Sequence, residues 1–193
     1  MDASTDPIRQ FETWLADAEK TEPNDANAMS VATVTADGQP SVRILLLKGV
    51  EDGAFQFFTN YQSRKGRELE TGRAALCFHW KTLRRQVRVV GTVEKLPPDA
   101  SDAYFATRER GSQIGAHASQ QSQPLASREA LVQAVSDVEA HYDGKAVPRP
   151  AHWGGYRLVP AEIEFWMDQP FRLHDRFRFT RAGAGWQVQR LFP

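Results

Sequence analysis

The densest chemistry in the chain lies in FRLHDRFRF, Phe171 to Phe179, where three arginines, a histidine and an aspartate sit among three phenylalanines and a leucine. Read as an extended segment, Arg172, His174, Arg176 and Arg178 share one face. Phe171, Leu173, Phe177 and Phe179 share the other, with Asp175 the odd member. Two readings fit. One is an antiparallel strand with a core face and a wet face. The other is an anion site, because guanidinium groups side by side repel unless an anion lies between them or water screens them.

Three further stretches carry the same choice. In TNYQSRKGRELE, Ser63 caps a short helix whose first turn holds Arg64 and Lys65. Cations there oppose the positive end of the helix; a phosphate would relieve the opposition, and so would side chains reaching into solvent. In SVRILLLKGV, Arg43 and Lys48 bracket four aliphatic residues. Their odd spacing predicts opposite faces of a strand buried on both sides, serving two anions or merely ending a strand. In DAYFATRERGSQIG, Tyr104 and Arg108 are helical neighbours and Ser112 follows four residues later, either a phosphate cradle or an exposed helix face. Gln86 and the QQSQ run at 120–123 offer amide and hydroxyl groups to the edge of a heterocycle, and Trp166 offers an aromatic shelf.

The elements that must position these groups read as follows. Asp6-Pro7 opens a helix with Ile8, Phe11, Trp14, Leu15 and Ala18 on one face, through about residue 21. MSVATVTADGQPSVRILLLKGV predicts two strands about a turn at Asp37-Gly38, and GAFQFFTN a third. RAALCFHW and RRQVRVVGTVEKL predict two more. PPDASDAYFATRERGSQIGAH predicts a helix to about Arg108 and then a shorter helix or loop. SQQSQPLAS is a polar loop, and a second long helix starts near Ser127, with Leu131, Val135, Val138 and Tyr142 at helical spacing. DGKAVPRPAHWGG is loop. AEIEFWM, RLHDRFRFTR and GWQVQRLFP close the chain as strands, the last two joined at Ala182–Gly185. Runs of strands interrupted by helices indicate an α+β fold with a largely antiparallel sheet, a barrel with flanking helices. Residues 1–193 read as one domain, with 1–5 a disordered tail.

Lys+Arg and Asp+Glu are both 24, so no net field steers the chain toward nucleic acid or an anionic membrane, and any anion site must be local. Cys77 has no second cysteine to pair with and fits a reducing compartment. Without a signal-peptide pattern or an apolar run of membrane-span length, the expectation is a soluble cytoplasmic protein. P-loop, GxGxxG, GxSxG and HExxH patterns are absent, and the five histidines are scattered, so no metal site is predicted.

In their order along the chain, RILLLK, FFTNYQSRKGREL, RRQVRVVG, YFATRERGSQIGAHASQQSQ, EFWMDQPFRLHDRFRF and the terminal RLFP closely resemble the pyridoxamine 5′-phosphate oxidase family, from about Asp6 to Pro193. The resemblance implies an FMN-binding split β-barrel of Greek-key type with flanking helices, forming a homodimer with FMN at the subunit interface. It implies oxidation of pyridoxamine 5′-phosphate, pyridoxine 5′-phosphate or both to pyridoxal 5′-phosphate, with O₂ as acceptor and hydrogen peroxide released, and ammonia from the amine. Carried over, Arg43, Ile44, Leu45, Leu46, Leu47 and Lys48 line the FMN with Phe58 and Thr59, while Arg64 and Lys65 hold its phosphate. Gln86 addresses the isoalloxazine edge; Gln121, Ser122, Trp166 and Arg176 complete the site, some from the other subunit. The substrate phosphate falls to Lys48, Tyr104, Arg108 and Ser112. Arg172, Leu173 and His174 face the pyridine ring, with Arg172 and His174 as the catalytic pair. Flanking arginines would disfavour the protonated form of His174, which is then expected to position or deprotonate the substrate.

Two departures stand out. Only five residues precede Asp6, where many relatives carry a longer segment whose arginine and tyrosine close over the substrate. His117 stands where bacterial relatives have tryptophan. Competing readings are a related flavin oxidase of the phenazine-biosynthesis type, a non-catalytic carrier of FMN or pyridoxal phosphate, and a nucleic-acid-binding barrel, the last opposed by the zero net charge.

Overall fold

The computed structural model describes residues 1–2 and 4–193. Asp6 accepts the Ile8 N–H at 2.9 Å and Pro7 takes the first helical position, starting α1 (Pro7–Thr21). Its apolar face buries Phe11, Trp14 and Ala18. Phe11 meets the rings of Phe55 and Phe78 at centroid distances of 4.9 and 4.8 Å, so the helix plugs one side of the barrel. Met1 also packs on this core.

The strands are β1 (Ala28–Val34), β2 (Pro40–Leu46), β3 (Gly49–Glu51), β4 (Ala54–Asn60), β5 (Arg73–Trp80), β6 (Arg85–Lys95), β7 (Trp153–Met167), β8 (Asp175–Ala182) and β9 (Gly185–Leu191). They form one antiparallel sheet in the order β2-β1-β5-β6-β7-β4-β3, with β8 pairing β7 and β9. Alternating side chains of β1, β5 and β6 fill the barrel, among them Val31, Leu76, Phe78, Val87 and Val89.

Strand β7 is the hub. Its first half pairs β4, its second half pairs β8, and β6 runs along both. The exchange happens around Pro160, which has no N–H for a ladder, opposite a register shift between Val90 and Gly91. A Cβ on Gly91 would lie 2.0 Å from the Val159 carbonyl oxygen, so only glycine lets the strands approach there. The helices are α2 (Arg64–Glu68), α3 (Pro98–Ala106), α4 (Arg110–Ala118) and α5 (Arg128–His141). Among the described residues, no helix is long and apolar enough to cross a membrane.

Four expectations need correction. The strand expected over Phe171–Phe179 begins only at Asp175. Residues 170–172 form a 3₁₀ turn with Phe171 at φ 58° and Arg172 at φ 61°, and Phe171 and Leu173 are exposed rather than in the core. Alternation predicts sides only where a ladder holds the backbone extended, and Pro170 starts a turn instead. The segment between Arg43 and Lys48 is not buried on both sides: β2 ends at Leu46 and Ile44 is 62 % exposed. Helix α3 stops at Ala106, so Arg108 lies in the link to α4. Strand β7 starts at Trp153, inside the stretch read as loop. Gly154 stands there because a Cβ would meet the Tyr61 hydroxyl at 2.1 Å, a packing demand rather than a turn.

Candidate active site

A cavity of about 640 Å³ opens where the ends of β2 and β4, the α3–α4 link, α4 and the start of β7 meet. Its floor is a stack of rings. Phe58 lies 3.9 Å from Tyr104, and Trp153 is nearly parallel to both. The Arg108 guanidinium sits 4.6 Å over Trp153. No carboxylate pairs with Arg108 among the described residues, and one of its terminal nitrogens is buried without a hydrogen-bond partner. Burial pulls its guanidinium below the usual range, which Tyr104 partly opposes. Lys48 and Ser112 complete this wall, so all four residues expected to take the substrate phosphate line one cavity.

Leu45, Leu46, Phe58, Thr59 and Gln121 line the same space. Behind them, Ser63 caps α2 by accepting the Gly66 N–H at 3.1 Å, which fixes Lys65 in the first turn. The Lys65 side chain is buried, and its Nζ donates to Gln121 Oε1 at 2.9 Å and Thr59 Oγ1 at 3.2 Å. Burial lowers its pKa, the Arg43 charge lowers it further, and Glu68 opposes both. A buried ammonium held only by neutral acceptors within hydrogen-bond reach suits an anion.

Arg43 and Arg64 turn the other way. Arg43 donates to the Val31 carbonyl at 3.1 Å, to Ser41 Oγ at 2.5 Å and to Glu68 Oε2 at 3.2 Å, and it also contacts Thr33. Arg64 Nε donates to Glu68 Oε1 at 2.8 Å. Burial pushes the Glu68 carboxyl up, but hydrogen bonds from Ser41, Thr33, Arg64 and Arg43 outweigh it and bring it to about 2. Leu47 points into the core, Ile44 points outward, and Ser122 is exposed at φ 72° beside Gln121.

The remaining expected residues gather elsewhere. Across the sheet, His79, Gln86, Trp166 and Arg176 are register partners on β5, β6, β7 and β8, so they share one face. The His174 ring lies 4.6 Å from Trp166. Arg176 donates to both oxygens of buried Glu164, at 2.9 and 3.1 Å, and to the Phe192 carbonyl at 3.0 Å; Arg88 contacts Glu164 as well. Burial pushes the Glu164 carboxyl up, and the bonds from Arg176 and Arg88 outweigh it, leaving it below its ordinary range. Trp153 and Trp166 are thirteen residues apart on β7, about 40 Å of strand at the usual rise, so the two groups of expected residues lie near opposite ends of the longest strand.

The expected surroundings of His174 also change. Arg176 is occupied by Glu164, and the charged group beside the His174 ring is the Asp168 carboxylate, 3.2 Å from Nδ1; the Gln169 N–H lies 3.2 Å from the same nitrogen, which accepts it only in the tautomer that does not donate to Asp168. Asp175 pairs with Arg190 and Gln169 instead. Sequence reasoning passed over Trp153, Glu109 and Asn60 in the cavity wall, and Glu68, Glu164 and Asp168 as counter-charges. Of these, Glu68 had a signal, four residues after Arg64 on one helix.

Comparison with known proteins closes the question of kinship. A family model described as pyridoxamine 5′-phosphate oxidase matches residues 15–142, and one described as the pyridoxine 5′-phosphate oxidase C-terminal dimerisation region matches 153–193. The second match contains Trp166, Arg172, His174 and Arg176, and the chain forms a homodimer. The chain is 54 % identical to a pyridoxine/pyridoxamine 5′-phosphate oxidase of Gluconobacter oxydans, over 100 % of this chain and 97 % of the relative. It is 56 % identical to one of Azorhizobium caulinodans, over 99 % and 92 %. Among solved structures it is similar to PhzG from Burkholderia lata 383 in complex with tetrahydrophenazine-1-carboxylic acid, with TM-score 0.93, 35 % identity, and coverage of 100 % of this chain and 95 % of that one. A pyridoxamine 5′-phosphate oxidase-related, FMN-binding protein of Nostoc punctiforme shares the fold, with TM-score 0.79 at 16 % identity over 98 % and 100 % of the two chains. With the split-barrel topology and full-length identity above one half, the chain belongs to the pyridoxamine 5′-phosphate oxidase family of FMN-dependent oxidoreductases.

Proposed function

We propose that the protein oxidises pyridoxamine 5′-phosphate, pyridoxine 5′-phosphate or both to pyridoxal 5′-phosphate, with O₂ as the final acceptor. The observation that carries this reading is the Lys48–Tyr104–Arg108–Ser112 wall, where a guanidinium without a carboxylate partner stands on an aromatic floor. That wall suits a phosphate on a flat ring. The buried Lys65, held by Thr59 and Gln121, suits the phosphate of FMN. When bound, FMN supplies the two-electron acceptor and the route to O₂.

The protein's own residues bind, orient and exclude water. Lys65 and Gln121 fix one end of the cofactor, and Leu45, Leu46 and Thr59 give it an edge. Gln86, Trp166 and Arg176 reach it from the partner protomer, which accounts for two half-sites in a homodimer. Glu164 holds the Arg176 fork rigid. Arg172 and His174 come from the same partner segment and press the substrate ring into place. In the tautomer whose Nδ1–H donates to Asp168, His174 has Nε2 free to take the proton that leaves the substrate. The overall change removes two electrons and two protons from the substrate and gives hydrogen peroxide; the amine also takes up water and releases ammonia. The single thiol Cys77 fits a cytoplasmic setting.

The likeness to PhzG raises oxidation of another ring acid as an alternative. Identities of 54–56 % to phosphate-substrate oxidases, against 35 %, favour the phosphate. The test is to load the protein with FMN and add pyridoxamine 5′-phosphate without oxygen. Loss of the flavin absorbance band and its return in air, with pyridoxal 5′-phosphate formed, is expected. A band that stays unchanged refutes the proposal.

A further inference from the structure

Two histidines that the proposed reaction does not use hold one wall of the cavity from outside. Helix α4 carries Ser112, Gly115 and Ala116 of that wall, yet Ile114 is its only buried residue. Packing alone therefore positions it weakly. In its last turn, His117 Nε2 donates to the Pro148 carbonyl at 2.7 Å. In the loop between α5 and β7, His152 Nε2 donates to the Ala116 carbonyl at 3.0 Å. The two bonds run in opposite directions between the same two segments. Both acceptors are carbonyl oxygens, so each ring carries its proton on Nε2.

The Ala116 carbonyl is among the last four of α4, which have no partner inside the helix, so His152 also ends the helix. At the other end of α4, Arg110 donates to the Tyr142 and Lys145 carbonyls at 2.7 and 2.9 Å. The loop so bound runs directly into Trp153, the cavity floor under Arg108.

We propose that His117 and His152 form a reciprocal clasp that sets the distance between α4 and the cavity floor, and so the affinity for the substrate phosphate. They are positioning residues, acting through Ser112 and Ala116. The proposal rests on reading this cavity as the substrate site. Breaking one bond frees one end of the helix without removing any substrate contact.

The experiment compares His117→Phe and His152→Phe with His117→Gln and His152→Gln in the FMN-loaded homodimer. Phenylalanine keeps a ring and loses the donor; glutamine keeps an N–H donor. Each phenylalanine variant is expected to raise KM for pyridoxamine 5′-phosphate about fivefold with kcat within about twofold, in line with one lost neutral hydrogen bond. Glutamine restores KM. The double phenylalanine variant falls short of the product of the two, because both bonds join the same segments. Amide exchange is expected to quicken in α4 and not in the barrel strands, a readout that stands even if a variant turns over poorly. Unchanged KM, glutamine that fails to restore it, or parallel losses in KM, kcat and thermal midpoint overturn the clasp. Arg108→Ala separates the two layers: if it leaves KM unchanged, the reading of the cavity itself fails. If it raises KM while His117→Phe and His152→Phe do not, only the clasp fails.

Discussion

Replacing Glu68 by glutamine tests how the basic groups around α2 are held. The carboxylate is buried and accepts from Thr33, Ser41, Arg43 and Arg64. Glutamine keeps the shape, loses the charge and turns an N–H₂ toward donors. Removing one partner of a buried ion pair costs about 3–5 kcal/mol, and an exposed pair about 0–1 kcal/mol. Arg64 is 56 % exposed and Arg43 only 20 %, so Arg43 dominates and the lower end, about 3 kcal/mol, applies. For a chain of this size that is about 6–12 °C in thermal midpoint. The pH dependence follows from the carboxyl standing at about 2 in the folded state, below its ordinary value. Its contribution is complete above the unfolded carboxylate range and is lost as pH falls toward 2, because the unfolded chain takes up the proton first. The gap between wild type and Glu68→Gln is therefore widest at neutral pH and narrows below about pH 5. The assay is thermal and urea unfolding at pH 7, 5 and 4, at fixed protomer concentration and saturating FMN. A midpoint loss under about 2 °C at pH 7, or a gap that does not change with pH, refutes the reasoning.

Lys65→Met removes a buried ammonium that has no carboxylate within ion-pairing distance among the described residues, so the FMN-free protein should hold or gain about 1 kcal/mol of stability. Its affinity for FMN, read by fluorescence quenching, should drop at least tenfold; tight FMN binding by this variant would count against the phosphate role of Lys65. His174→Asn should cut turnover about a hundredfold, the scale of a lost general base, with FMN affinity unchanged. Unaltered turnover would remove His174 from the chemistry. Gly91→Ala, which sets a Cβ 2.0 Å from the Val159 oxygen, should cost about 3 kcal/mol or prevent folding. A thermal midpoint like that of wild type would show that the bulge yields.

What the chain determined by itself was local. The Asp6-Pro7 start of α1, the Ser63 and Ser127 caps, the turns near Gly38 and Gly183 and the period of β1, β5 and β6 each follow from a few neighbouring residues. The ordered motifs also pointed to the family, because they name residues in sequence rather than their contacts. The tertiary structure decided what no local pattern encodes. Trp153 became cavity floor and strand rather than loop because it pairs with Asn60 of β4, a pairing for which Gly154 leaves room beside the Tyr61 hydroxyl. Phe171 and Leu173 left the core because the chain turns at Pro170 before β8 begins. Glu68, Glu164 and Asp168 emerged as the partners of Arg43, Arg176 and His174 over separations of 25, 12 and 6 residues. A charge finds its partner by distance in space, and that distance exists only after the barrel has closed.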